Sequence, residues 1–429
     1  MKYPPIGQEL FITNREKLKK RLKPNSVAIF NSNDIMPTNA DGTMPFRQNN
    51  NLLYLSGIDQ EESILMIAPD FPDPKLREVL FVKKTSELIA IWEGHKYTKE
   101  EATKESGIAT VLWKDEFEKT FQMVLAESEN IYLDSNEHIR NGNEVETRND
   151  RFSDWCKDKF PHYEYDRIAP LIYDLRTVKE NREIELLRHA CSITEIGFRK
   201  ILGLVKPGVW EYEIEAEYAY EFLKNRSKGF GYEPIIAGGG NACVLHYVDN
   251  NQELKDGDLL LMDVGAEYAN YNADMTRTIP VNGKFTARQR AVYEAVLRVK
   301  NAATELLMPG NTIPEYHKEV GLIMQGELVS LGLIDKTDIK NQNPDWPAYK
   351  KYFMHGTSHH LGLDVHDVAS IYTKFKPGMV FTVEPGIYIP DEAIGIRLED
   401  DIVILEDGHD NLMGNIPIQA DEIEDLMNS

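Results

Sequence analysis

The sequence is short of cysteine, of positive charge and of long apolar runs, and each shortage removes a class of answers. Cys156, Cys191 and Cys243 are the 3 cysteines in 429 residues, and none stands in a Cys-x-x-Cys pair. That argues against a disulfide framework or a structural zinc site and for a reducing compartment. Lys and Arg number 48 against 70 Asp and Glu, a formal net charge of −22. With no basic surplus, the chain has little with which to neutralise nucleic-acid phosphates or an anionic membrane surface. No apolar run approaches a membrane span, and Met1-Lys-Tyr-Pro-Pro opens no apolar leader. A cytoplasmic protein with neither nucleic acid nor membrane as partner is expected.

What is present suits a packed globular chain: 42% hydrophobic residues, in a length that suggests two domains. Short β-branched runs alternate with amphipathic stretches in the first part. Val27–Phe30, Ser63–Ala68, Glu78–Val82, Thr110–Trp113 and Asn130–Leu133 read as strands. Thr98-Lys-Glu-Glu101 reads as a capping box opening a helix, and Lys114–Glu127 and Glu146–Lys159 as further helices. The expected class is α/β (α+β), with an N-terminal α/β layer domain over 1–172 and a second domain over 173–429. Pro45–Gly57, with Arg47 and three asparagines ahead of Leu52-Leu-Tyr-Leu, reads as a turn entering a strand or as an interface or substrate rim.

Beyond the boundary, Lys179–Leu204, Glu211–Lys224, Ala287–Leu307 and Pro314–Leu331 read as helices, and Gly332–Lys351 as a polar loop. Ala242–Val248, Asp258–Ala266, Ala273–Val281, Met379–Pro385, Gly395–Leu405 and an edge near Asn415–Ile418 read as strands. The densest chemistry lies in His355-Gly-Thr-Ser-His359-His-Leu-Gly-Leu-Asp-Val-His366-Asp. Histidines among glycines and apolar residues suggest one wall of an active site, because imidazole is a common metal ligand and glycine lets backbone approach a bound group.

The second domain also repeats itself. Leu254-Lys-Asp-Gly-Asp-Leu-Leu-Leu-Met-Asp263-Val-Gly265 aligns without a gap with Phe375-Lys-Pro-Gly-Met-Val-Phe-Thr-Val-Glu384-Pro-Gly386. The match equates Asp263 with Glu384 and puts Asp274 near Glu399. Converging buried carboxylates repel one another unless cations neutralise them, and divalent metals would do so. Asp274 could instead be a turn residue or pair with Arg277. Alternation puts Glu399 and Asp401 on one face with Arg397, so position does not choose between them.

These residues resemble the pita-bread metallopeptidases, aminopeptidase P most closely. The pieces that match are Asn241–Tyr247, Met262–Gly265, Asp274–Thr278, His355–Asp367, Val383–Tyr388 and Gly395–Asp401. Phe46–Gly57 is similar to the creatinase-type N-terminal domain of the same family. The resemblance implies a C-terminal pseudo-symmetric pita-bread domain with two divalent metal ions, Mn2+ first and Co2+ or Zn2+ next. It implies Asp263, Asp274, His359, Glu384 and Glu399 as ligands, with Asp274 and Glu399 bridging. It further implies that a hydroxide between the metals attacks the scissile carbonyl with Glu384 assisting proton transfer. His246, His355 and His366 would surround the substrate, and Arg397 would sit beside the metal carboxylates. His360 replaces a position that is often aromatic and reads as a bystander or rim residue.

The implied activity is metal-dependent hydrolysis of the bond between an N-terminal residue and a penultimate proline in peptides. Prolidase, restricted to Xaa-Pro dipeptides, is the nearest alternative; methionine aminopeptidase, creatinase and a non-catalytic binding module of this fold stand further off. A homo-oligomer, dimer or tetramer, is expected by resemblance. Ile91-Trp92-Glu-Gly94 is similar to a family segment near a neighbouring subunit's site, with ordinary core packing as the rival reading of Trp92.

Overall fold

In the computed structural model residues 3–142 and 144–429 are described. The chain divides into two compact units, Pro5–Arg176 and Met1–Pro4 with Thr177–Ser429. The boundary read at 172/173 falls inside the helix Ala169–Thr177.

A six-stranded sheet organises the unit Pro5–Arg176, in the order Thr110–Trp113, Glu78–Val82, Ile64–Ile67, Ser26–Asn31, Asn130–Leu133, Glu164–Arg167. Ile64–Ile67 runs antiparallel to both its neighbours; the other pairings are parallel. The central strands are buried throughout, as their unbroken apolar runs require. Phe121 is fully buried among Ile29, Val79, Phe81 and Ile131, and Phe81 meets Phe117 edge-on at 5.2 Å. Each such side chain contributes about 1.5–3 kcal/mol by leaving water. The helix Lys99–Ser106 starts where the capping box predicts, with Thr98 and Glu101 bonding each other's backbone.

Several expectations in this unit are corrected. Pro45–Gly57 does not lead into a strand, because Asn50–Ser56 is a helix: the Asn49 side chain accepts from the amides of Asn51 and Leu52, and Gly57 closes the helix at φ 69°. Every residue from Asn51 to Ser56 is buried, so no helical period marks the segment. Just ahead of the domain boundary, Glu164–Arg167 forms the sixth strand. Trp92, on the helix Glu87–Glu93, is 82% exposed, so core packing does not explain it.

In the second unit the helices Asn181–Leu202, Glu211–Lys224, Ala287–Glu305 and Ile313–Ser330 lie close to the predicted segments. One sheet orders Ile235–Gly238, Leu259–Val264 and Met275–Pro280; another orders Val380–Val383, Asp400–Ile404 and His409–Asn411. Leu259–Val264 and Val380–Val383 each pair antiparallel with the strand that Asp274 or Glu399 immediately precedes. The hairpin Gly386–Ile389 and Ile394–Arg397 completes the second half. Among the described residues no helix is long and apolar enough to cross a membrane.

Three readings fail here. Ala242–Val248 is not a strand: a 3-10 turn covers Gly239–Cys243 and irregular chain follows. Gly395–Leu405 is two strands, broken where Leu398 and Glu399 donate their amides to Pro385 and Thr276. The edge strand is His409–Asn411, not Asn415–Ile418. The polar loop also carries a short helix, Lys336–Lys340.

Candidate metal centre

The histidine stretch behaves as an added strand. Leu361 donates to Val380 O at 3.1 Å, Thr382 to His359 O at 3.0 Å, and Glu384 to Thr357 O at 2.8 Å. That zipper sets His359 beside Glu384. His359 Nδ1 lies 3.0 Å from its neighbour's carbonyl, His360 O, so Nδ1–H donates there and Nε2 is left free as a base or ligand. Nε2 lies 3.4 Å from Asp274 Oδ2 and 3.6 Å from Glu384 Oε1.

Asp274, His359 and Glu399 each offer a ligand atom, all within 4.8 Å of one another. Asp274 ends the turn ahead of Met275–Pro280, and its amide donates to Asp401 Oδ2 at 3.0 Å. Glu399 occupies the break before Asp400–Ile404 and takes a 2.6 Å hydrogen bond from the Thr276 hydroxyl. Asp263, on Leu259–Val264, accepts from Tyr232 OH at 2.6 Å and from Arg397 at 2.6 Å. Two engaged oxygens still leave a carboxylate with lone pairs for a cation.

The rival reading of Asp274 as a partner of Arg277 fails, because Arg277 donates to Asp400 Oδ1 at 2.7 Å. Asp401 shares the face of Arg397 and Glu399, but its Oδ2 accepts from the Asp274 amide and from Cys191 Sγ, 3.3 Å away, and it is not one of the residues whose ligand atoms converge.

Electrostatics fit a divalent cation. Burial, then the Asp263 charge, pushes the Asp274 carboxyl well above the usual carboxylate range. Burial and then Asp274 do the same to Glu399. Burial raises Glu384 as well, with His359 opposing. Arg397 is the guanidinium at the cluster, and it is bound to Asp263 and Tyr388. Buried oxygen and imidazole donors in excess of positive charge are the donor set of a divalent metal site.

The other histidines divide. His355 Nε2 lies 2.8 Å from Tyr388 OH and its Nδ1 2.7 Å from Gly356 O. Tyr388 accepts from Arg397 at 2.9 Å, so protons point along one chain, from Arg397 through Tyr388 to His355 and on to Gly356 O. Burial, helped by Arg397, pulls the His355 pKa down to about 3, which keeps the ring neutral. His355 Nδ1 is 3.8 Å from Glu384. The His366 ring is 4.2 Å from that of His359 yet exposed, and His246 is exposed in a turn. His360 is no rim residue: it is 6% exposed, its ring is 4.2 Å from Phe381, and neither ring nitrogen has a hydrogen-bond partner among the described residues. The glycines of the stretch serve packing against the protein itself. A Cβ at Gly362 would lie 2.2 Å from Asp367 Oδ2, and one at Gly356 2.7 Å from His317.

The model of metallopeptidase family M24 matches residues 185–406, and that of the aminopeptidase P N-terminal domain matches 11–132. A Haemophilus influenzae protein named Xaa-Pro aminopeptidase is 35% identical over 99% of this chain and 98% of its own. The chain belongs to metallopeptidase family M24. An Escherichia coli K12 Xaa-Pro aminopeptidase is 35% identical over 98% of each chain. The structure of aminopeptidase P from E. coli with the inhibitor Pro-Leu superposes with a TM-score of 0.87 at 34% identity, covering 99% of both chains. The fold is thus that of an M24 pita-bread domain behind an aminopeptidase P N-terminal domain.

Within this M24 site, sequence reasoning missed Tyr232, which carried no motif signal, and Glu211. Glu211 is fully buried and accepts from Gly238 N, Asn241 Nδ2, Tyr247 OH and Gln252 N at 2.8–3.2 Å, which anchors the turn bearing His246. Glu211 carried no sequence signal either, since a Glu in the first turn of a helix is common and only the structure shows it buried.

Proposed function

We propose that this chain is a metal-dependent aminopeptidase that hydrolyses the bond between an N-terminal residue and a penultimate proline in peptides. The observation that carries the reading is the convergence of Asp274, His359 and Glu399 within 4.8 Å in a buried, carboxylate-rich pocket of an M24 domain. Prolidase is not favoured, since full-length relatives are named Xaa-Pro aminopeptidases.

Asp263, Asp274, His359, Glu384 and Glu399 would hold two divalent ions, Mn2+ first given the mixed oxygen and imidazole donors. When bound, such ions supply Lewis-acid polarisation of a carbonyl and lower the pKa of water. Glu384, its affinity for protons raised by burial, takes a proton from the attacking water and returns it to the proline nitrogen as the C–N bond breaks. That nitrogen belongs to a tertiary amide without N–H, so peptide binding cannot rely on a donor there. His246 and His366, both exposed, contact substrate. Arg397 holds Asp263 in position, and His355, bonded to Tyr388 and lying beside Glu384, faces the substrate with them.

The reading extends to a cytoplasmic homo-oligomer with an N-terminal domain over 1–172 and a catalytic domain over 173–429. The test is turnover of an Xaa-Pro-Xaa tripeptide against an Xaa-Pro dipeptide, before and after chelation. Tripeptide cleavage abolished by chelation and restored by Mn2+ is expected. Dipeptide-only turnover would replace the activity with prolidase, and chelation-resistant turnover would remove the metal.

A further inference from the structure

The unit Pro5–Arg176 carries a cavity of about 540 Å3 with chemistry of its own. It opens where Ser26–Asn31 ends, between its antiparallel neighbour Ile64–Ile67 and the start of Arg148–Lys159. In open α/β sheets, crevices beyond the carboxyl ends of parallel strands are the usual binding places. Phe117, Phe152 and Trp155 form one wall, with ring centroids 5.9 Å and 5.4 Å apart in that order.

The carboxylates around it are already paired: Asp34 with Arg151 at 2.7 Å, Glu61 with the Lys96 ammonium, Glu62 with Lys114 at 2.5 Å, and Glu118 with Lys159 at 2.7 Å. Arg148 differs. It donates to the neutral Ser32 hydroxyl at 2.6 Å and, among the described residues, has no carboxylate at ion-pair distance. Burial lowers its pKa, but a guanidinium remains charged.

Asn31 supplies a second unmet need. It lines the cavity at 1% exposure, and its Oδ1 has no partner among the described residues. The orientation of its amide is forced. Asn149 spends its NH2 on Asp134 Oδ2 at 3.0 Å and so offers Asn31 only an acceptor, which takes the Asn31 Nδ2 donor at 3.1 Å. A buried acceptor without a donor is costly, and native structures rarely leave one without cause.

We propose that this cavity binds an apolar amino acid. Its carboxylate meets Arg148, its ammonium meets Asn31 Oδ1, and its side chain lies on the Phe117, Phe152 and Trp155 wall. A bidentate carboxylate is the natural partner of a guanidinium without one. The proposal is independent of the peptidase reading, because every residue it uses lies outside the metal cluster.

The probe is L-phenylalanine titrated into the full chain, followed by the fluorescence of Trp155, with Trp155→Phe to locate the signal. Saturable quenching is expected, weakened about tenfold or more in Arg148→Gln. Phenylalaninamide, which lacks the carboxylate, should bind more weakly by a similar factor, and 3-phenylpropionate, which lacks the ammonium, by a smaller one. Peptidase activity and melting temperature of Arg148→Gln should match the parent protein and so report correct folding. Absence of saturation up to about 10 mM, equal affinity in folded Arg148→Gln, or equal binding of the amide would overturn the proposal.

Discussion

Two sets of buried carboxylates in the same unit meet opposite fates. Asp400 accepts from Arg277 at 2.7 Å, from the Asn411 amide at 2.8 Å and from the Lys300 ammonium; against burial, the two cations and that hydrogen bond hold it well below the usual carboxylate range. Its chain neighbour Glu399 has the Thr276 hydroxyl as side-chain donor and, with Asp274, is driven well above that range. The chain therefore can bring cations into its interior, and does so one residue away. At Asp274, Glu384 and Glu399 it withholds them. A buried anion left uncompensated is several kcal/mol unfavourable, and a cation from outside the chain would relieve that deficit. Neutralised from within, Asp400 supports the fold; Asp274 and Glu399, with His359, offer converging atoms that could hold a metal ion.

The largest effect should come from Glu384→Gln, which removes the proposed proton acceptor while sparing Asp400. Turnover should fall by roughly two to four orders of magnitude with the melting temperature little changed, read by steady-state kinetics beside calorimetry. Retained turnover would end the functional side of the contrast.

Asp400→Asn should do the reverse. It leaves Arg277 and Lys300 buried without their counter-charge and should cost about 3–5 kcal/mol in denaturant unfolding at pH 7, with or without metal. The sign with pH follows from a folded pKa below the unfolded value of about 3.9. The stabilisation is complete above that value and lost as pH falls through the folded pKa, so the gap between variant and parent should close in acid.

The smallest effect concerns a third kind of buried carboxylate, satisfied by neutral donors. Asp134 accepts from Asn51 at 2.8 Å and Asn149 at 3.0 Å, and burial lifts its pKa to about 6. A folded pKa above the unfolded one makes this group's contribution to stability decline as pH rises from about 4 to about 6 and level off beyond. Its 13C carboxyl resonance should titrate near 6; a midpoint near 4 would show that amide donors suffice to keep it ionised.

Legibility follows the range of the forces involved. The helices Lys99–Ser106 and Glu211–Lys224 and the strands Glu78–Val82 and Thr110–Trp113 could be read from the chain, since capping, β-branching and periodicity act over a few residues. The helix Asn50–Ser56 was hidden because it is buried on all sides, although Asn49 and Gly57 bracket it with the expected cap chemistry. The matched motifs named Asp274, His359 and Glu399, but not why Asp401 is excluded.

By itself the sequence determined the alternation of elements, the loose duplication that places a carboxylate at the end or start of corresponding strands, and the supply of oxygen and imidazole donors. Only the tertiary structure decided which of those carboxylates keep protein cations, that Asp401 serves the Asp274 backbone, that His360 is buried against Phe381, and that Arg148 has, among the described residues, no carboxylate at ion-pair distance. The physical reason is that neutralisation depends on burial and on charges brought together from distant parts of the chain. Glu399 meets Thr276, and Arg277 meets Asp400, across more than a hundred residues of sequence, through strand pairings that no local pattern encodes.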